Sequence, residues 1–277
     1  MAGPKLRSLN LLDSDLDFII REAAPDFGDK EKLKQIIRKD DDFRKALVGD
    51  ERVFRRLIAD EEIFLKISPA LYFEILLRKT LGELEKASHT IEKIGGEQVP
   101  VFDTKAVVDF LARETVLEYL ADMLASFTKT QSYTVPVRVR KGVWRKIRFS
   151  DMDVDSLSRL CETASEEHRF DFYKRIADVC LFILGIFPEY AHFDYRYPLS
   201  GEARPKIRLG RKGMQEYEEE GRKFYRLAAE HDSARMLELS RVFWLLHENF
   251  NAARKPLNFI SEHYFAHKRS QLFGVQN

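Results

Sequence analysis

The densest group of residues that could bind a ligand lies within residues 135–149. Two short runs of alternating β-branched and polar residues predict a β-hairpin at about 133–149. No acidic residue interrupts residues 135–149. Basic side chains on one face of a ribbon can contact successive phosphates, and a tryptophan among them can stack on a base. The residues that could form this anion-binding site are Arg138, Arg140, Lys141, Trp144, Arg145, Lys146 and Arg148.

The register of the hairpin decides which of these residues share a face. A two-residue turn would separate the valines of the two strands onto opposite faces. A three-residue loop with Gly142 in the left-handed conformation instead pairs Val139 with Val143 and Val135 with Ile147. We expect the second arrangement because it produces one mainly apolar face. The other face then carries Arg138, Trp144, Lys146 and Arg148.

In a second interpretation, these basic residues bind no ligand. Asp151, Asp153 and Asp155 follow the second strand directly and could neutralise a solvated basic face. Lysine and arginine also protect an exposed strand edge from pairing with another chain. Both interpretations remain open at the level of the sequence.

Residues 188–212 form the second candidate region, because they lack helical periodicity and contain several prolines and glycines. A loop of this length inside a compact domain is uncommon and is often functional. His192 and Asp194 could act as an acid–base pair, and the basic residues could hold phosphate or carboxylate groups. A loop packed by its aromatic residues is the alternative, so we assign no catalytic residue. The basic residues of the region are Arg204, Lys206, Arg208, Arg211 and Lys212.

The sequence contains no standard metal or nucleotide motif. His263 and His267 could share a helical face, but no glutamate stands where a zinc protease motif requires one. Paired Glu-x-x-His motifs of the di-iron bundle type are absent, as are the glycine-rich phosphate loop, the serine nucleophile elbow and the dinucleotide fingerprint. We therefore predict no metal site and no cofactor, and the sequence leaves open whether the protein is an enzyme.

The composition is typical of a folded, soluble protein. Hydrophobic residues make up 44% of the 277 residues and charged residues 33%. The 46 lysines and arginines are balanced by 45 acidic residues, so an anionic partner must be held by a local patch. The N-terminal residues lack the apolar region of a signal peptide, and the most apolar run, at 179–187, is too short to span a membrane. We expect a cytoplasmic protein with two free cysteines.

Apolar residues spaced three and four positions apart predict helices along most of the chain. Within residues 1–69, recurring acidic pairs predict short capped helices. A helix that begins at Pro69 is expected to reach Ile94, and another helix is expected from Asp103 to about Phe127.

The segment from Glu166 to Phe187 is predicted to be the central helix, because its apolar residues cover most of the helix circumference. Three further helices are expected at about 213–231, 234–249 and 256–268. We therefore predict an all-α fold, a multi-helix bundle with one inserted β-hairpin. An N-terminal helical lobe at residues 1–69 is expected to pack on a main domain at 70–277.

Three C-terminal segments resemble a family of uncharacterised bacterial proteins. They are YKRIADVCLFILGIFPEY at 173–190, EEEGRKFYRLAAEH at 218–231 and LSRVFWLLHENF at 239–250. In that family a segment similar to Gly-Asp-x-x-Leu-Phe-x-x-Gly-Phe-Phe precedes a tyrosine-containing helix and a terminal helix, and Ala177-Asp178 stands here in place of the Gly-Asp pair. The resemblance implies a helical fold and a bacterial origin, and it carries over no functional residue because no activity is assigned to the family.

The sequence favours a non-enzymatic binding or adaptor protein that meets a protein partner or an anionic ligand. One alternative is a nucleic-acid-binding protein that uses the hairpin and residues 204–212. A second alternative is an enzyme or a metal-binding helical protein. The 21 phenylalanines and 10 tyrosines leave a homodimer open as well, because aromatic residues are enriched at interfaces. No membrane partner is expected.

Overall fold

The computed structural model of the protein describes residues 11–94, 97–129, 132–140, 143–192, 212–265 and 269–273. Helices predominate in this part of the chain, and its strands form two separate antiparallel ribbons of two strands each. The expected all-α multi-helix fold with an inserted β-hairpin is confirmed, and the second ribbon is an addition to it. The chain divides into two compact units, Met1–Ala125 and Ser126–Asn277.

The first unit begins with four short helices, and an aspartate caps the start of three of them. Asp29 accepts a hydrogen bond from the Lys32 amide at 3.0 Å, and Asp40 accepts one from the Phe43 amide at 2.9 Å. A carboxylate at this position satisfies amides that have no partner inside the helix and complements the helix dipole. The helices are α1 (Asp13–Ala23), α2 (Lys30–Lys39), α3 (Asp41–Val48) and α4 (Glu51–Ala59).

Two elements of the first unit differ from the sequence prediction. The helix α5 (Pro69–Leu84) ends ten residues before Ile94, and β1 (Thr90–Ile94) pairs instead with β2 (Glu97–Val101). The Thr90 hydroxyl donates to the carboxylate of Asp103 at 2.7 Å, which ties the ribbon to the start of the next helix.

The helix expected from Asp103 to Phe127 is two helices, α6 (Thr104–Leu111) and α7 (Glu114–Ser126). The Arg113 carbonyl accepts hydrogen bonds from the amides of Val116 and Leu117, at 2.8 and 3.1 Å, and so starts a new helix.

The compact units divide after residue 125, and the separate lobe expected at residues 1–69 stays a prediction. Both α3 and α4 pack on α5, and the Arg44 side chain of α3 reaches carboxylates of α5 and α7. Residues on either side of the expected boundary therefore belong to the same packed unit.

The second unit is built around α9 (Glu166–Ile186). Against it pack α8 (Val154–Thr163), α11 (Met214–Glu230) and α14 (Phe250–His263). Every residue from Ile176 to Phe187 is buried, as expected for the central helix. The other elements of this unit are β3 (Ser132–Arg140), β4 (Val143–Ser150), α10 (Glu189–His192), α12 (Asp232–Met236), α13 (Ser240–Glu248) and α15 (Arg269–Leu272).

The last helices also differ in their ends from the sequence prediction. The helix expected at 234–249 is interrupted between α12 and α13, where Glu238 has a positive φ of 55°. Pro256 lies inside α14 rather than at its start. The end of α9 is held by α14, because the Asn258 amide donates to the carbonyls of Leu184 and Gly185, both at 2.8 Å.

Candidate functional site

The predicted anion-binding residues lie mainly on the β3–β4 ribbon. Val135 lies opposite Ile147, as expected. At the turn end of the ribbon the expected pairing of Val139 with Val143 is wrong, because Arg140 lies opposite Val143 instead. The loop between the paired residues is therefore one residue shorter than expected.

β3 contains a bulge near the turn. Because of this bulge, the loop can be shorter than expected while Arg138 still lies opposite Trp144. The register shifts between Arg138 and Arg140, which makes Val139 the extra residue. Residues directly opposite each other in an antiparallel ribbon share a face. One face, which we call the basic face, therefore holds the paired positions Arg138 and Trp144, Pro136 and Lys146, and Thr134 and Arg148.

The remaining basic positions of the ribbon belong to the opposite face. Arg145 lies opposite Val137, and Arg140 lies opposite Val143. The positions next to them on this face are mainly apolar, so the ribbon is amphipathic by position. The expectation that Arg138, Trp144, Lys146 and Arg148 share one face is confirmed by the register.

Several predicted residues lie outside the described part of the chain. His192 is the last residue of α10, but its proposed partner Asp194 is not among the described residues. The same holds for the predicted anion-binding residues Lys141, Arg204, Lys206 and Arg208.

The acidic residues that follow the ribbon have cationic or polar partners in the second unit. The Asp151 carboxylate accepts a hydrogen bond from the Arg175 guanidinium at 2.6 Å, and Asp155 lies 2.8 Å from the Lys212 amine. Two of the three carboxylates are thus balanced by cations outside the ribbon.

Lys212, the last member of the predicted basic run, is a structural residue. Its amine bridges Asp155 and Glu220, and its side chain is only 22% exposed. Burial lowers the pKa of this amine, but the hydrogen bonds to the two carboxylates outweigh burial and raise the pKa above its ordinary value. Lys212 therefore stays charged and joins α8 to α11.

His247 and His263 each contact a nearby backbone carbonyl. Nδ1 of His247 lies 2.8 Å from the Arg222 carbonyl, and Nδ1 of His263 lies 2.9 Å from the Phe259 carbonyl. The described residues contain no group of three or more histidine, cysteine, aspartate or glutamate side chains that could hold a metal ion. His267, the other member of the predicted pair, lies outside them.

A buried ionic cluster in the first unit joins three helices. We call it the Arg44 cluster. Both oxygens of Glu74 accept from Nη1 of Arg44 at 2.9 Å, and Oε1 of Glu118 accepts from Nη2 at 3.1 Å. The Arg78 guanidinium donates to Glu74 at 2.8 and 3.0 Å and also to Glu114. The five members are Arg44 of α3, Glu74 and Arg78 of α5, and Glu114 and Glu118 of α7.

The electrostatics of the Arg44 cluster single out Glu118. Burial, reinforced by the neighbouring carboxylates, raises the pKa of Glu118 from 4.5 to about 7, and the guanidinium of Arg44 only partly offsets this. A carboxyl group with such a pKa exchanges its proton near neutral pH.

The sequence prediction missed the Arg44 cluster, although a local signal was present. Glu74 interrupts the apolar run of residues 70–77, and the pairs Glu74 with Arg78 and Glu114 with Glu118 are each spaced four apart. Acidic residues rarely stand at core positions unless they have a partner. This pattern indicates a buried ion pair, but it does not identify Arg44 of α3 as a partner.

Comparison of the chain with protein-family models, with curated proteins and with solved structures finds no match in any of the three. The resemblance of residues 173–250 to an uncharacterised bacterial family therefore stays a prediction, as does the bacterial origin that it implies. Among the described helices, none is both long and apolar enough to cross a membrane.

Proposed function

We propose that this protein is a non-catalytic binding protein that holds an anionic ligand on the basic face of the β3–β4 ribbon. The observation that carries the proposal is the register, which gathers the positions of Arg138, Lys146 and Arg148 with that of Trp144 on one face.

Single-stranded nucleic acid is the ligand class that this arrangement favours. Residues two apart on a strand are about 7 Å from each other, so Lys146 and Arg148 can meet separate phosphate groups. A tryptophan beside them can stack on any base, and such binding tolerates sequence variation. A near-neutral chain needs a local patch of this kind to hold a polyanion. A cytoplasmic location, which we also propose, would give access to such a ligand.

The test compares the two faces of the same ribbon. The full chain is titrated into a fluorescently labelled single-stranded oligonucleotide at about 50 mM salt, and the titration is repeated at about 200 mM salt. A variant of the basic face carries Arg138→Glu, Lys146→Glu and Arg148→Glu. The matched control carries Arg140→Glu and Arg145→Glu on the opposite face.

We expect binding that weakens at the higher salt, and a loss of at least about tenfold in affinity for the basic-face variant, because each lost phosphate contact removes a counterion-release contribution. The control should retain most of the affinity. Absence of binding by the wild-type chain at low salt, or equal losses in the two variants, would refute the proposal. Binding of polyglutamate as tightly as the oligonucleotide would show a general preference for polyanions.

A protein partner is the second candidate function, and two exposed apolar side chains of the first unit favour it. Phe102 is 80% exposed directly after β2, and Ile91 of β1 is 51% exposed. Large apolar side chains close together at a surface are typical of protein interfaces. If a second copy of the chain is the partner, sedimentation should show a dimer that Phe102→Ser weakens. A monomer at all concentrations would exclude self-association.

A further inference from the structure

The Arg44 cluster contains more carboxylates than guanidinium groups. Arg44 and Arg78 face Glu74, Glu114 and Glu118, so the fully ionised cluster carries one uncompensated negative charge. The Lys45 amine lies 3.8 Å from Glu114 and 3.6 Å from Asp42, so it compensates the partly exposed Glu114 rather than the buried Glu118. An uncompensated charge among side chains removed from water is unfavourable, and uptake of one proton relieves it.

The geometry assigns this proton to Glu118. The carboxylate of Glu74 accepts from both arginines, and the side chain of Glu114 is 28% exposed and therefore partly hydrated. Glu118 is 6% exposed and has a single guanidinium contact, with Arg44 at 3.1 Å. It is the carboxylate of the three with the weakest compensation for its charge.

The helix α3 is the element that depends on this cluster. Its only residue in the cluster, Arg44, is buried and makes the guanidinium contacts to α5 and α7, and beside it the Lys45 amine lies 3.8 Å from Glu114. On its other side, Phe43 and Leu47 pack against the apolar core formed by α1 and α2. A change in how Arg44 is held can therefore reach the packing of the N-terminal helices.

We propose that the Arg44 cluster makes the packing of α3, α5 and α7 sensitive to pH, so that protonation of Glu118 holds the three helices together and ionisation of Glu118 loosens them. This device is separate from the basic ribbon face. The charged groups around Glu118 are Arg44 and Lys45 from α3, Glu74 and Arg78 from α5, and Glu114 from α7.

Amide hydrogen exchange of the full chain measures how the opening of these helices depends on pH. Opening that separates α3, α5 and α7 exposes Glu118 to water away from Glu74, where it ionises as an ordinary carboxylate. Linkage therefore predicts that the opening equilibrium measured at Asp41–Val48 rises about tenfold from pH 6 to pH 8 after correction for intrinsic exchange. The Glu118→Gln variant should show no such rise. The matched control Glu83→Gln removes an exposed carboxylate of α5 and should keep the rise of the wild-type chain.

A second measurement needs no substitution. The carboxyl carbon of Glu118, assigned by nuclear magnetic resonance through its own backbone, should titrate with a midpoint near neutral pH in the wild-type chain. A midpoint below about pH 5, where an ordinary glutamate titrates, would overturn the proposal. Exchange from α3 that is independent of pH would overturn it as well, even if Glu118 titrates as expected.

Discussion

The hydroxyl of Tyr225 donates a 2.9 Å hydrogen bond to Oδ1 of Asp178, and both residues are completely buried. The other oxygen of Asp178 accepts from the Lys174 amine at 2.7 Å, one turn earlier on α9. An aspartate in the middle of a buried helix is tolerated only when its charge is paired and hydrogen-bonded. The tyrosine therefore joins α11 to α9 at the centre of the second unit.

We predict that Tyr225→Phe lowers the free energy of unfolding by about 2 kcal/mol, because a hydrogen bond to a buried charged group is lost while the packing of the ring is kept. The measurement is urea denaturation of the full chain, followed by circular dichroism. Fluorescence of a tryptophan in the same unit, Trp244 of α13, gives an independent signal for the transition.

Tyr173→Phe on α9 is the matched control for this substitution. Tyr173 is half-buried and its ring packs beside Phe224, so the same loss of a hydroxyl there should change the free energy of unfolding by less than about 0.5 kcal/mol. Equal effects of the two substitutions would mean that the Tyr225 hydroxyl contributes nothing specific at Asp178.

The second prediction concerns how the free energy of unfolding changes with pH. The sign of that change follows from the raised pKa of Glu118. A carboxyl group with a higher pKa in the folded state than in the unfolded state favours folding most at low pH. The contribution should be fully present below about pH 4.5 and lost as the pH rises to about 7, a change of up to about 3 kcal/mol. Urea denaturation at a series of pH values should show this fall.

Glu118→Gln should remove that fall in stability, because glutamine does not ionise. Glu83→Gln should preserve it, since Glu83 is exposed and its pKa is lowered by its hydrogen bond to Lys79. If the wild-type chain and the Glu118 variant lose stability in parallel between pH 5 and pH 8, a different group is responsible.

The central helix and the β3–β4 ribbon could be predicted from the sequence because each has a pattern that few other structures satisfy. Residues 170–187 are apolar on nearly all sides, and strict alternation marks the ribbon. The end of α5 could not be predicted in this way, since Ile91 and Ile94 fit a helical stripe as well as a strand. Only the pairing of β1 with β2 decides between them.

The Arg44 cluster illustrates why a buried site escapes prediction from local pattern. Arg44 stands 30 residues before Glu74 and 74 residues before Glu118. Its own surroundings, an exposed acidic helix start, are those of an ordinary surface arginine. Its burial follows from the way α3 packs on α5, and that packing depends on tertiary contacts that no helical period encodes.

Glu238 supports a third prediction, because it occupies a position that glycine usually fills. It follows the last turn of α12 with a φ of 55°, while the Leu239 amide donates to the Ala234 carbonyl at 2.8 Å. This is the hydrogen bond of a Schellman motif, in which the residue with positive φ carries a side chain only at a steric cost. Glu238→Gly should raise the free energy of unfolding by about 0.5–1 kcal/mol.

Glu219→Gly is the control for that substitution. Glu219 lies on the exposed side of α11, where glycine should lower the free energy of unfolding by about 1 kcal/mol. Both substitutions replace glutamate by glycine, but only Glu238 has a positive φ. The two changes in the free energy of unfolding should therefore have opposite signs. A loss of stability for both would show that the positive φ at Glu238 carries no strain.

Two helical glycines provide a matched pair for the fourth prediction. A Cβ atom at Gly221 of α11 would lie 2.5 Å from Cε2 of Phe250 and 3.0 Å from Cβ of Cys180, so α11 reaches its neighbours only because that atom is missing. A Cβ atom at Gly82 of α5 would meet nothing within 4 Å. The same substitution should therefore act in opposite directions at the two positions.

We expect Gly221→Ala to lower the free energy of unfolding by about 2 kcal/mol through overpacking, and Gly82→Ala to raise it by about 0.5 kcal/mol through the better helix propensity of alanine. Phe250→Leu should remove part of the clash, so Gly221→Ala should cost less in that background, and a double-mutant cycle measures the difference. If Gly221→Ala is as stabilising as Gly82→Ala, α11 does not approach Phe250 as closely as described. The burial of Asp178 between α9 and α11 would then need another explanation, because Gly221 and Tyr225 lie one turn apart on the same helix.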